Sequence, residues 1–139
     1  MSSESEWNSW VRWAECDAAG IIYHARVFDW FSEGRIAWLN DHQLSYYELL
    51  RPHGVELLVK SATAAFHHAL RHGDPVRLRI SMETLTPTRV SFRYWMAAPA
   101  SPDVTAVEGL TDHAFVVDNR ARRLDRMFPD LFAQFERGR

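Results

Sequence analysis

The hydrophobic pattern changes period along this chain. Between residues 25 and 39, Val27, Trp30, Phe31, Gly34 and Trp38 recur at helical spacing, with Phe28, Ile36 and Leu39 widening the stripe. That spacing predicts one long helix over 25–39, buried on most of its sides. Gly34 lowers helix propensity in the middle of this segment, which predicts a close approach of the helix to a sheet. Downstream the period falls to two. Val76, Leu78, Ile80 and Met82 alternate with Arg77, Arg79, Ser81 and Glu83, the pattern of an antiparallel strand with one buried face. Long strands are expected over 55–66, 75–85, 89–97 and 105–118, with turns at 71–74, 86–88 and 99–103. Ahead of the helix, residues 7–12 alternate weakly and predict a first strand after a frayed start at 1–6. A short helical turn is read at 45–50, stopped by Pro52 and Gly54, and a closing helix at 128–135.

A long helix followed by a run of antiparallel strands is an α+β arrangement, a pattern that several topologies share. The 139 residues suffice for one domain, 1–139, and carry no repeat or linker. Six Trp and eight Phe are many for this length, and the surplus favours a subunit interface or an apolar ligand groove. A net charge of −2 argues against a nucleic-acid partner, since no broad basic face is available to neutralise phosphates. Cys16 is the sole cysteine, so neither an internal disulfide nor a cysteine metal cage can form. No metal or cofactor is called for, and His67, His68 and His72 read as surface histidines beside a turn. With no long apolar run and a polar, acidic beginning, the chain reads as soluble and cytoplasmic, without a membrane partner.

Asp17 opens an Asp-x-x-Gly turn closed by Gly20, and by composition alone this is ordinary turn chemistry. The setting adds to that reading. The run VRWAECDAAGIIYHARVFDWFSEGR, residues 11–35, joins the turn to a small apolar stretch and then to the helix start near His24. This segment resembles the opening of the 4-hydroxybenzoyl-CoA thioesterase family of hotdog-fold proteins. Such proteins have a strand (10–15 here), an acidic Asp-x-x-Gly turn (17–20), an Ile/Val-x-Tyr/Trp-x stretch (21–24) and a long aromatic-rich helix (25–39). His72-Gly73-Asp74-Pro75 is also similar to the Gly-Asp turn that opens the family's third strand.

The resemblance implies a hotdog fold, in which an antiparallel sheet of five or six strands wraps a long central helix and two subunits join their sheets edge to edge. It implies an acyl-CoA thioesterase acting on an aromatic, benzoyl-type or short-chain acyl group, assembled as a homodimer or homotetramer with its pocket between subunits. Asp17 is then the nucleophile or general base, and the backbone N–H of His24 polarises the thioester carbonyl. Gly20 and Tyr23 shape the turn and the pocket wall. Arg89, Arg120, Arg122 and Arg123 are the candidates for the CoA phosphates, with Arg126 in the same cluster. Where relatives commonly carry Asn after the His24 position, this chain has Ala25-Arg26. Glu33 is the rival acid, but nine residues along a helix is roughly 13 Å from His24, which favours an ion pair with Arg35 or with a partner subunit. Cys16 is read as core. Carrier-protein thioesterase, hotdog hydratase or dehydratase, and non-catalytic acyl-CoA-binding module are the alternatives. The hydratase and dehydratase motifs, Asp-x-x-x-x-His and His-x6-Pro-Gly-His-Phe, are missing from the sequence.

Overall fold

In the computed structural model, which describes residues 3–139, strand β1 spans Ser5–Trp10. Helix α1 spans Val27–Asp41 and is entered through 3-10 turns at Trp13–Glu15 and His24–Arg26. A single wide turn follows, in which the Leu50 N–H donates to the Ser45 carbonyl (3.0 Å) and the Arg51 N–H to that of Tyr46 (2.7 Å). The strands β2 (Val55–Phe66), β3 (Pro75–Leu85), β4 (Arg89–Ala98) and β5 (Ser101–Val117) come next. A two-residue β6 (Arg120–Ala121), α2 (Leu124–Met127) and α3 (Pro129–Arg137) close the chain.

All strands pair antiparallel in the order β1-β3-β4-β5-β2, with β6 added to β5. The sheet curls around α1, which buries Val27, Trp30, Phe31, Gly34, Trp38 and Leu39 and leaves Asp29, Ser32, Glu33 and Asn40 exposed. The helix lies close to β3 because Gly34 has no side chain. A Cβ there would stand 2.7 Å from Ile80 Cγ1 and 2.9 Å from Leu78 Cδ2. Gly109 plays the same part on β5, where a Cβ would meet the Phe31 ring and lie 2.6 Å from the Thr63 carbonyl oxygen.

The strands expected at 55–66 and 75–85 have those bounds. Other expectations shift. β1 begins at Ser5, so residues 3–6 are held rather than frayed: the Ser3 carbonyl accepts the Trp38 Nε1–H (2.9 Å), and Glu4 pairs with Arg79 (2.8 Å). Residues 1 and 2 of the expected frayed start lie outside the described residues. Residues 10–15 are not one strand, because Trp13–Glu15 tightens into a 3-10 turn. β5 begins at Ser101, within the turn expected at 99–103. Its first residues pair irregularly with β4 and reach β2 only from Val107, and such edge pairing tolerates Pro102. The short α2 had no counterpart in the sequence reading.

The aromatic surplus divides. Trp30, Trp38, Phe31, Phe92, Phe115 and Phe135 are fully buried, whereas Trp10, Trp13, Tyr23, Tyr47 and Phe66 are exposed. β2 is an edge strand, paired to β5 on one side only, and it also exposes Leu58 and Val59.

Candidate active site

The Asp17 turn is closed by its own backbone. Cys16 and Ile22 form a bridge, the Asp17 N–H donates to the Ile21 carbonyl (2.9 Å), and the Gly20 N–H donates to that of Asp17 (3.0 Å). Gly20 sits at φ 78°, a left-handed conformation that glycine adopts without a Cβ clash. Asp17 Oδ1 accepts the Ala19 N–H (2.8 Å), and Oδ2 has no partner among the described residues. One carboxylate oxygen is therefore anchored and the other is free.

The turn is tied to the segment joining β2 to β3 by the Ile22 N–H, which donates to the Leu70 carbonyl (2.8 Å), and by a bridge from Ile21 to Arg71. The chain then enters the turn at His24, whose N–H finds no acceptor among the described residues. A free amide at a helix start carries partial positive charge and suits an oxyanion. Asp17 and His24 both line one open groove of about 400 Å³, walled by Ile21, Ile22 and Phe66 and by residues 67–69. Phe66 meets the His24 imidazole edge-on, with ring centroids 6.5 Å apart.

The other expected site residues lie elsewhere. Gly20 makes the turn without lining the groove. Tyr23 is not a groove wall either; its ring packs on the His24 imidazole at 4.7 Å. Arg120, Arg122 and Arg123 follow β5 at its Val117 end, which pairs with Val55, while the groove lies at the Phe66 end of β2. Within one chain this separation is on the order of 30 Å along the strand. Arg89 is in register with Ala114, opposite Leu58, and is ion-paired with Asp112 (2.6 Å). Arg123 is held by Asp125 (2.8 Å), while the buried Arg122 Nε has no partner among the described residues.

Glu33 is exposed and makes no ion pair with Arg35, which instead donates to Tyr94 Oη (3.1 Å) and Ser32 Oγ (3.0 Å). The Glu33 charge adds a small part to the field that favours the charged form of Arg12. Cys16 is half-buried against the core, in keeping with its reading. His67 and His68 are exposed at the groove rim and His72 is exposed against Trp13, and no cluster able to hold a metal occurs among the described residues.

Two features were missed by the sequence reading. Glu15, only 5% exposed, accepts hydrogen bonds from the Arg12 N–H (2.8 Å), the Arg12 guanidinium (3.0 Å) and the Trp30 Nε1–H (2.8 Å). Burial pushes its carboxyl up, but the Arg12 and Trp30 donors and the Arg12 charge together hold it below the usual carboxylate range. The second feature is a polar line through the sheet, from Arg35 to Tyr94 Oη, on to Thr111 Oγ1 (2.7 Å) and His113 Nε2 (2.8 Å). His113 Nδ1 faces the Leu57 carbonyl at 3.4 Å. With Nδ1 as the donor, every hydrogen points one way along this line. His113 is fully buried, and burial first, then the Arg35 charge, lowers its pKa to about 4. Strand alternation marks such residues as inward-facing but leaves their partners on other strands unread.

Residues 11–135 match the family model of the thioesterase-like superfamily, and the chain belongs to that superfamily. It is a thioester hydrolase with the hotdog fold. The DHNA-CoA thioesterase of Staphylococcus aureus superposes with a TM-score of 0.89 at 22% identity, covering 96% of this chain and 89% of its own. The hypothetical protein TT1821 of Thermus thermophilus gives a TM-score of 0.88 at 25% identity, covering 97% and 99%. In Bacillus subtilis (strain 168), YneP, named as a candidate acyl-CoA thioesterase, is 24% identical over 131 residues, 93% of each chain. Among the described residues no helix is long and apolar enough to cross a membrane.

Proposed function

We propose that this hydrolase acts on acyl-CoA thioesters, with Asp17 as the catalytic carboxylate and the His24 N–H as the carbonyl donor. One observation carries the reading: Asp17, whose carboxylate is half-anchored, and His24, whose helix-start amide is free, line the same groove. With Asp17 as general base, water attacks the carbonyl carbon while Asp17 Oδ2 takes its proton. Charge developing on the carbonyl oxygen is met by the His24 N–H. The C–S bond then breaks, the departing sulfur takes the proton from Asp17 and leaves as CoA, and the acyl group becomes the free acid. With Asp17 as nucleophile, Oδ2 attacks directly, CoA thiolate departs, and water hydrolyses the mixed anhydride.

The likeness to the DHNA-CoA thioesterase supports an aromatic acyl group, as does the exposed Phe66 ring beside His24. The protein works as a dimer or larger assembly. β2 is long, unpaired on one side and apolar at Leu58, Val59 and Phe66, which suits antiparallel pairing with the same strand of a second copy. Across such a pairing the Val55 end of one β2 meets the Phe66 end of the other. Arg89, Arg120, Arg122 and Arg123 of one subunit would then reach the groove of its neighbour and meet the CoA phosphates there. The test is thiol release across a panel of aromatic and short aliphatic acyl-CoAs and the matching acyl-carrier-protein thioesters. Turnover of benzoyl-type acyl-CoA is expected to lead the panel, and turnover of carrier-protein thioesters alone would overturn the reading.

A further inference from the structure

Among the described residues Glu15 is the one buried carboxylate, and the thioester chemistry has no use for it as an acid or base. Its hydrogen bonds reach three parts of the site. The side chain accepts the indole N–H of Trp30 on α1 (2.8 Å), and the Arg12 N–H and guanidinium close the 3-10 turn around it. The backbone carbonyl of Glu15 accepts the Tyr23 N–H (2.8 Å), the residue immediately before His24. Asp17 follows two residues later. Glu15 is thus bonded to the helix, to the segment delivering the His24 amide and, through the chain, to the turn carrying the free carboxylate oxygen.

Stability alone does not call for a buried ion here, because an apolar pair at positions 15 and 30 would fill the space without its desolvation cost. An ionised carboxylate supplies fixed direction, with three donors converging on two oxygens. The charge state agrees, since those donors hold the carboxyl below its usual range.

We propose that Glu15 is a positioning residue that sets the separation between the Asp17 carboxylate and the His24 N–H. The inference rests on the roles given to those two groups above. Misplacement of reacting groups by about 1 Å can cost about a hundredfold in rate, so the loss should fall on kcat.

The test is thiol-release kinetics on Glu15→Gln and Trp30→Phe, each made in the wild-type chain and in Asp17→Asn, on protein shown to be folded and assembled. Glu15→Gln turns one acceptor into a donor facing other donors; Trp30→Phe removes the indole N–H and keeps an aromatic ring. Glu15→Gln is expected to lower kcat by about tenfold to hundredfold with KM changed by less than about threefold, and Trp30→Phe to lower it less, in the same direction. In the Asp17→Asn background neither should lower the residual rate by more than about twofold, because the group they position is already gone. A structural role alone would lower the melting temperature and leave kcat of the folded fraction, and its pH profile, at the wild-type value. If Asp17→Asn keeps its kcat, the catalytic assignment itself falls. If Asp17→Asn loses kcat but folded Glu15→Gln does not, or the two losses multiply, the positioning role alone is overturned. Should Glu15→Gln fail to fold, Trp30→Phe decides by the same criteria.

Discussion

His113 makes the protein's stability depend on pH in a window set by one residue. Its imidazole is fully buried between the Leu57 carbonyl and Thr111, against the edge of Phe92 (5.7 Å). Burial and the Arg35 charge hold its pKa at about 4, against 6.5 for an ordinary histidine, although the Leu57 carbonyl and Asp112 pull the other way. Above pH 6.5 the ring is neutral in both folded and unfolded chains and contributes no slope. As pH falls toward 4 the unfolded chain takes up a proton that the folded chain refuses, so stability is lost across that window and levels off below it. At about 1.4 kcal/mol for each unit of pKa, the full loss is about 3 kcal/mol. Glu15 and Glu83, held low by their partners, lose their contributions only below the ordinary carboxylate value of 4.5, so the slope between pH 6.5 and 4.5 excludes them. Urea unfolding at steps from pH 8 to pH 4 reads the slope. His113→Gln should be less stable at pH 7 and lack the wild-type slope between 6.5 and 4.5. Equal slopes in the two proteins would refute the assignment.

Gly109→Ala should destabilise by about 2–3 kcal/mol in denaturant unfolding, because its Cβ meets the Phe31 ring, itself stacked on Tyr94 at 4.2 Å, and a fixed backbone oxygen. Gly34→Ala should cost less, since the ends of Ile80 and Leu78 can turn aside and the helix gains about 1 kcal/mol of propensity. Replacing Arg122 and Arg123 together with Ala should raise KM more than it lowers kcat, and should flatten the weakening of substrate binding by salt; an unchanged KM would put the CoA phosphates elsewhere. Light scattering should give a dimer or larger assembly, and Val59→Glu on the exposed edge of β2 should shift it toward monomer with loss of thiol release; a fully active monomer contradicts the assembly.

Legibility in the sequence followed the range of the forces involved. Strict alternation and flanking turn residues gave β3 its correct bounds, the stop at Pro52 and Gly54 and the turn at 71–74 bracketed β2, and Gly34 foretold the helix-to-sheet contact from its cost alone. The Asp17 turn was readable because its chemistry is local: an acidic opener and a glycine that must take positive φ. The 3-10 turn at Trp13–Glu15 was missed, since three residues carry no period and Trp10 to Glu15 can pass for a strand. Glu15 was unreadable as a site residue because its partner Trp30 is 15 positions away on the helix. The Arg35-to-His113 line joins α1, β4 and β5, with Arg35 and Tyr94 59 residues apart, and no local rule reports such a contact. The arginines illustrate the reverse case. Clustering marked them, but only the sheet register revealed that β2 separates them from Asp17 within one chain.

The most direct measurement compares kcat for Asp17→Asn and Glu33→Gln on the best acyl-CoA substrate, using protein shown to be folded and assembled. Asn preserves the size and turn preference of Asp17 and can still accept the Ala19 N–H, but it cannot attack a carbonyl or take a proton from water. The account predicts a loss on the order of a hundredfold or more in kcat for Asp17→Asn with little change in KM, and near wild-type kcat for Glu33→Gln. Retained kcat in Asp17→Asn with loss in Glu33→Gln would move the catalytic acid onto α1 and contradict the account.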